Sequence, residues 1–360
     1  MIQRLYIHNY RCYENFEIGL GKHSSVLVLG KNGVGKSTLG NALRILQKIA
    51  QGHNRIRELI QIEDIAQHKK DRPVRLEVTV ELGGRTFEYS IAVELPHDFK
   101  ELRILDEQLT CEGQSIYSRE HAQVELPASD TRFLVDWHMV ALPIIQIKDP
   151  ENSIETFRSW MSRLILIHPV PSSIHSESNE PTLYPNPSVS NLADWLNGVV
   201  GTYPAAYSVI ADYLKDVMPD FRDIRNIDAG GETKISEIRF GVETTLSLKL
   251  HQLSDGEKSF IICALLMGLA RNNAPIFCLW DEPDSSLSIG EVGDMILELQ
   301  KSFKGNGQIL VTSHNSETIR AFSDESTLVL DRNSHLEPTT AQWLKDVNYH
   351  GDLIESLILA

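Results

Sequence analysis

Residues 1 to 30 alternate polar and apolar side chains in two short runs, then pass into the unbroken apolar stretch Ser25-Val26-Leu27-Val28-Leu29. Alternation predicts half-buried strands, and a short continuous apolar run predicts a strand covered on both faces. A glycine-rich turn follows, and helical spacing takes over from Lys36 to Ala50. Period-two segments at Val74–Leu82, Thr86–Leu95 and Leu102–Thr110 predict an antiparallel annex reaching to Leu126, with Gly83-Gly84 as a hairpin turn between the first two.

The period changes between residues 151 and 218. Helical spacing covers Ile154–Ile167, Leu192–Val200 and Tyr207–Met218, interrupted by the polar, proline-punctuated stretch Pro169–Pro187. Strand patterns return at Ile235–Val242 and Leu246–Leu250. After them come a helix beyond Ser254, a buried strand Ile276–Trp280, a helix near Glu291–Phe303, and strands at Gln308–Thr312 and Thr327–Leu330. This closing alternation is βαβ-like, so the two ends of the chain are expected to share one sheet. The fold class is therefore α/β: a core contributed by residues 1–150, with the β-rich annex, and by residues 233–360, around an inserted helical subdomain at 151–232 with a mobile loop at 169–190.

Composition narrows this picture. A chain of 360 residues, 42% hydrophobic and 23% charged, can bury a sizeable core without disulfides or a structural metal, and disorder over most of its length is excluded. The net charge of −15 excludes a generic basic DNA-coating protein. Any direct DNA contact needs a local basic patch; His68-Lys69-Lys70-Asp71-Arg72 and Arg55–Arg57 are the candidates, and each reads equally as a solvated face. Cys12, Cys111, Cys263 and Cys278 show no Cys-x-x-Cys spacing, so a reducing cytoplasm and no zinc site are expected. The N-terminus lacks a signal-peptide pattern, and the longest apolar stretch, Phe260–Ala270, is too short to span a bilayer, so no membrane contact is expected. Neither a repeat nor a long heptad run is visible, and the apolar exit Gly351–Ala360 is expected to dock on the sheet or on a partner.

Five motifs carry chemistry. Gly30-Lys31-Asn32-Gly33-Val34-Gly35-Lys36-Ser37 fits the phosphate-loop pattern between a buried strand and a helix, where Gly30, Gly33 and Gly35 let backbone N–H groups, with those of Asn32 and Thr38, curl around phosphate oxygens. Lys36 is expected to reach the β- and γ-phosphates, and the Ser37 hydroxyl to ligate Mg²⁺; the bland alternative is a glycine turn. Asp281 and Glu282 end an apolar strand, where Asp281 would hold Mg²⁺ and Glu282 would polarise the attacking water, or the pair is simply an acidic turn. Ser254 and Glu257 have capping-box spacing, and Gly256 in the first helical turn permits close approach of a phosphate. His314, just past an apolar strand, can bond a γ-phosphate or water, or be structural. Gln146, in Pro143-Ile144-Ile145-Gln146-Ile147, is a candidate amide ligand for Mg²⁺ and water, or a plain polar residue at a strand end.

In order and relative spacing, the phosphate loop, Leu253-Ser254-Asp255-Gly256-Glu257-Lys258, Asp281-Glu282-Pro283, Asp284-Ser285-Ser286-Leu287 and His314 resemble the heads of ABC-type ATPases. Together with the opening Leu5-Tyr6-Ile7-His8-Asn9-Tyr10-Arg11, they are similar to the RecF, OLD and SMC branch, and particularly to its short AAA-like members in bacterial phage-defence and toxin operons. The resemblance implies an ABC-ATPase-like P-loop core that binds and hydrolyses ATP with Mg²⁺. It also implies that Ser254 and Gly256 lie in the signature motif, Ser285–Leu287 in the D-loop and Gln146 in the Q-loop, and that His314 is the switch histidine. Finally, it implies a dimer in which two copies sandwich ATP, regulating a separate nuclease or toxin in anti-phage defence or the DNA-damage response.

Departures from the pattern are informative. Asp255-Gly256-Glu257 replaces the Gly-Gly-Gln of transporters, and the 216 residues between Ser37 and Ser254 leave room for an insert but not for long coiled-coil arms. A nucleotide-binding subunit of an ABC transporter is the competing reading, opposed by the annex, the insert and the acidic signature. A slow-turnover ATP-dependent scaffold is the other, opposed by the intact Lys36, Ser37, Asp281, Glu282 and His314.

Overall fold

The computed structural model describes residues 1–21, 23–146, 153–272, 276–305 and 307–347, so Ile147 and the exit Gly351–Ala360 lie outside the described residues. In chain order the elements are β1 (Ile2–His8), β2 (Phe16–Gly19), β3 (Ser25–Leu29), α1 (Lys36–Ala50), α2 (Ile56–Leu59), β4 (Val74–Leu82), β5 (Arg85–Glu94), β6 (Arg103–Cys111), β7 (Gln114–Glu120), β8 (Gln123–Leu126), β9 (Thr131–Leu134) and α3 (Ser153–Ser162). There follow β10 (Ile165–Ile167), β11 (Glu177–Ser178), α4 (Leu192–Thr202), α5 (Ala206–Val217), β12 (Phe221–Gly230), β13 (Thr233–Phe240), β14 (Leu246–Lys249) and α6 (Asp255–Asn272). The last are β15 (Ile276–Asp281), α7 (Ile289–Phe303), β16 (Gly307–Thr312), α8 (Ser316–Ala321), β17 (Thr327–Asp331) and β18 (Thr340–Trp343). They fall into two compact units: Met1–His23 with Leu29–Leu164 and the chain from Leu328 onward, and Ser24–Val28 with Ile165–Thr327.

The first unit is built on an eight-stranded antiparallel sheet in the order β2-β1-β4-β5-β6-β7-β8-β9. Alternation does the work here: Val74, Leu76, Val78 and Val80 of β4 are buried, while the residues between them are partly exposed. Gly83 and Gly84 both take positive φ (58° and 76°), as a two-residue hairpin turn requires, and set the register Leu82↔Arg85. Phe157 of α3 packs on the rings of Phe87 and Tyr89. Buried Glu107 on β6 accepts hydrogen bonds from Tyr117 Oη (2.8 Å), Tyr89 Oη (3.1 Å) and the amides of Ala141 (2.7 Å) and Leu142 (2.9 Å). That network ties the chain leading to Gln146 to the sheet. In the same unit β17 and β18 form an antiparallel hairpin.

The second unit holds a parallel sheet in which β10, β15, β16 and β3 are successive neighbours. The N-terminal strand β3 thus lies against β16 from the far end of the chain, as the closing alternation predicts. Almost every residue of β15 and β16 is buried, consistent with unbroken apolar runs covered on both faces. Helix α6 is buried along Phe260–Ala270 and is a core helix. A second, antiparallel sheet forms around β13, which pairs with β11, β12 and β14.

Three local expectations are corrected. The helix expected over Ile154–Ile167 ends at Ser162, and Ile165–Ile167 is a strand parallel to β15; a short apolar run fits a buried strand or a buried helix turn equally. Residues 221–230, which fall in the expected helical subdomain 151–232, form strand β12, most of whose positions are exposed, with no strict alternation. The run ending at Gln146 is not a strand: Pro143 lacks a donor, and a turn closes there through Ile145 N to Ala141 O (3.1 Å), leaving Gln146 exposed in irregular chain.

Candidate functional site: a phosphate loop and a strand-end carboxylate pair

β3 ends at Leu29, the loop runs from Gly30 to Gly35, and α1 begins at Lys36. Its glycines are forced by backbone and space. Gly30 (φ 151°) would drive a Cβ to 2.5 Å from Leu330 O, and Gly35 (φ 113°) to 2.6 Å from Cys12 Sγ. Polar ties from the rest of the first unit hold the loop: Tyr13 Oη donates to Gly35 O (2.8 Å), Thr339 Oγ1 to Val34 O (2.7 Å) and Thr339 N to Cys12 O (2.9 Å). Complete burial holds the Tyr13 phenol well above its ordinary range, so it stays a neutral donor. Lys36, itself buried, folds its ammonium onto Gly30 O (2.6 Å) and Lys31 O (3.3 Å). Lys31, Asn32, Gly33 and Ser37 are exposed, Thr38 half-buried. The outcome is a helix that starts directly behind an exposed glycine loop, and a helix N-terminus of this kind favours anions.

In the second unit, Asp281 closes β15 in register with Thr312 of β16, and Thr312 in turn is in register with Val28 of β3. Thr312, fully buried, clasps both carboxylate residues: its hydroxyl donates to Asp281, while Glu282 N donates to Thr312 O (3.1 Å) and bonds Thr312 Oγ1 (3.1 Å). Glu282 sits at φ 54°, in the left-handed region that a non-glycine residue adopts at a cost. His168, beyond the end of β10, brings Nδ1 to 3.4 Å from Asp281 Oδ2. His314 follows β16 by two residues and is exposed.

Helix α6 opens with the capping box that the Ser254–Glu257 spacing predicts. Ser254 N and Oγ donate to Glu257 Oε2 (2.7 and 2.8 Å), and Glu257 N donates to Ser254 Oγ (3.3 Å). Ser254 and Asp255 remain exposed. A Cβ on Gly256 would stand 3.1 Å from Ser286 O, so this helix start lies directly against the 284–287 turn.

Within their own units, then, the loop Gly30–Ser37 is assembled, Asp281 and Glu282 are held by Thr312 with His314 two residues beyond it, and Gly256 lies beside the 284–287 turn. Cys12, Tyr13, Thr339, Thr312 and His168 escape a sequence reading, since each acts through a contact far along the chain. A continuous β-strand ending one residue before Gly30 is the one signal that bears on Thr312. Of the basic clusters, Lys69 is paired with Glu14 and Arg72 lies 3.6 Å from the same carboxylate, while Arg55 and Arg57 are exposed.

Parallel strands carrying a phosphate loop, a carboxylate pair and a histidine at their carboxyl ends, with a capped helix opening on Ser254, define an ABC-type ATPase head of the RecF/SMC class. The chain belongs to the RecF/RecN/SMC N terminal domain family, whose model matches residues 1–336. It is 35% identical over 72 residues to the chromosome partition protein Smc of Chlorobaculum tepidum, and 38% identical over 73 residues to that of Coxiella burnetii. Each alignment spans 20% of this chain and 6% of the relative. Among solved structures, the Smc head bound to the C-winged helix domain of ScpA superposes with a TM-score of 0.58 at 16% identity, over 96% of this chain and 98% of that one; this likeness concerns the fold. Among the described residues no helix is long and apolar enough to cross a membrane.

Proposed function

We propose that this chain binds and hydrolyses ATP and works as a nucleotide-gated dimer. One observation carries the reading: β15, β16 and β3 are adjacent and in register, Asp281 and Thr312 close the first two at their carboxyl ends, and Gly30 follows the third in the chain. Ligands of open parallel sheets bind beyond that edge. The loop amides and Lys36 are suited to the β- and γ-phosphates, and Thr38 stands in the first turn of α1. Ser37 and Asp281 supply hydroxyl and carboxylate oxygens, the hard donors that Mg²⁺ takes. Bound Mg²⁺ neutralises phosphate charge. Gln146 is an amide available for the same metal shell.

Hydrolysis then needs few groups. Water attacks the γ-phosphorus and gives its proton to the Glu282 carboxylate; the bond from the γ-phosphorus to the bridging oxygen breaks, and ADP leaves with that electron pair. His314 bonds the γ-phosphate and steadies the developing charge. Removing Lys36 removes the phosphate's cation, whereas Glu282→Gln leaves it in place. We therefore expect Lys36→Ala to abolish ATP binding, and Glu282→Gln to keep it and accumulate a closed dimer. Equal ATP affinity in wild type and Lys36→Ala, measured by calorimetry, overturns the site.

The exposed N-terminus of α6, at Ser254 and Gly256, is suited to the γ-phosphate of ATP held by a second copy. The Smc head of known structure binds a domain of ScpA, which supports a protein partner for this chain also. We take that partner to be a separate effector, a nuclease or toxin, in anti-phage defence or the DNA-damage response, with the complex in the cytoplasm, where the free cysteines fit a reducing setting. Family membership does not favour the transporter reading.

A further inference from the structure

Asp284 is the first residue of the 284–287 turn, and the chemistry above makes no use of it. Its side chain is 6% exposed, and a carboxylate that deep is costly unless its lone pairs are met. It is met from two directions: Ser313 Oγ and Thr318 Oγ1, both fully buried, donate to the same oxygen, Oδ2. Those hydroxyls bracket His314, one residue before it and four after. Ser313 Oγ also accepts from Asn315 N (2.9 Å), and the Asn315 side chain caps the following turn by accepting from Glu317 N (2.8 Å). His314 is thus an exposed side chain on a backbone fixed at both sides by one buried carboxylate.

The backbone of Asp284 faces the other way. Leu287 N donates to Asp284 O (3.2 Å), closing the turn whose Ser286 carbonyl abuts Gly256 at the start of α6. One residue therefore ties together the helix start that bears Ser254, the turn that follows Glu282, and the segment that bears His314. We infer that Asp284 is a positioning residue: it sets the placement of His314. The inference rests on the reading of His314 as the γ-phosphate group.

The experiment compares wild type, Asp284→Leu, Asp284→Asn, Thr318→Val, His314→Ala and the Asp284→Leu/His314→Ala double variant. ATP turnover, ATP affinity and the NMR resonances of the His314 ring, assigned by their loss in His314→Ala, are measured on the full chain. A misplacement of about 1 Å can cost on the order of 100-fold in rate. Asp284→Leu is accordingly expected to lower kcat at least about tenfold with ATP affinity within about threefold, and to move the His314 resonances without nucleotide. Asp284→Asn, which keeps an acceptor oxygen, recovers most of the loss. In the double variant the Asp284 substitution adds less than about twofold to the deficit of His314→Ala. Multiplicative losses, or unmoved His314 resonances in a folded Asp284→Leu chain, overturn the inference. Should Asp284→Leu fail to fold, Thr318→Val decides by the same readouts. Should wild type not turn over ATP, the functional reading falls, and the resonances alone decide the positioning role.

Discussion

At Glu282 chemistry and backbone conflict, and the conflict is measurable. The residue follows a largely buried strand yet stands at φ 54°, held there by two bonds from its amide to Thr312. Left-handed backbone costs a non-glycine residue about 1–2 kcal/mol, part of which a glycine would give back through its greater freedom in the unfolded chain. Glu282→Gly is therefore expected to raise stability to urea by about 0.5–1 kcal/mol while turnover collapses and ATP binding survives. A Glu282→Gly chain less stable than wild type would show that the strain is not there. Glu282→Gln, with the same backbone cost, separates the two effects because it loses turnover without gaining stability. The glycine pattern, the lysine and the acidic pair were legible because their spacing is local; Thr312, Tyr13 and Thr339 were not, since hydroxyl groups acquire meaning only from carbonyls and carboxylates that the fold delivers.

The elements best read from sequence are those whose period matches one buried face. Helix α1 coincides with its expected limits, and so does β4, because each buries one stripe and stops within two residues of a glycine, Gly52 or Gly83. Strand β10 and strand β12 fail for opposite reasons, one being apolar throughout and the other exposed over most of its length, with its apolar residues off any period of two. The stretch 169–190 adds a third lesson, since its ties come from a neighbouring helix. Asp194 Oδ1 accepts from Asn179 N (2.8 Å) and Glu180 N (3.0 Å), and Thr182 N donates to Asp194 O (3.0 Å). Gly198 of α4 lets Thr182 in: a Cβ there would fall 2.1 Å from Thr182 O. Alanine at 198 improves helix propensity by about 1 kcal/mol, yet the blocked atom is backbone and cannot rotate away. Overpacking of this kind costs about 1–3 kcal/mol, so Gly198→Ala is expected to lower the unfolding midpoint and to hasten protease cleavage between 179 and 186. Unchanged cleavage and an unchanged or higher midpoint would mean that the two segments are not held this close in solution.

For the whole molecule the question is whether one chain suffices. Lys36 belongs to one compact unit and Ser254 to the other, and in the proposed site both meet phosphate: one from the start of the helix behind the glycine loop, the other from the start of an 18-residue helix. In the proposed dimer Ser254 serves the partner's nucleotide, so Lys36→Ala and Ser254→Arg each disable both pockets of a homodimer. Mixed in equal amounts they behave differently. Half of the random pairs are heterodimers, and each has one pocket with both defects and one with neither, so activity returns to about a quarter of wild type if the pockets act independently. A net charge of −15 on each copy opposes association, and moderate salt, by screening it, should aid the recovery rather than suppress it. Complementation that never exceeds the sum of the two separate variants, together with a specific activity of wild type that stays constant on dilution, would place both functions in a single chain and end the case for a shared pocket.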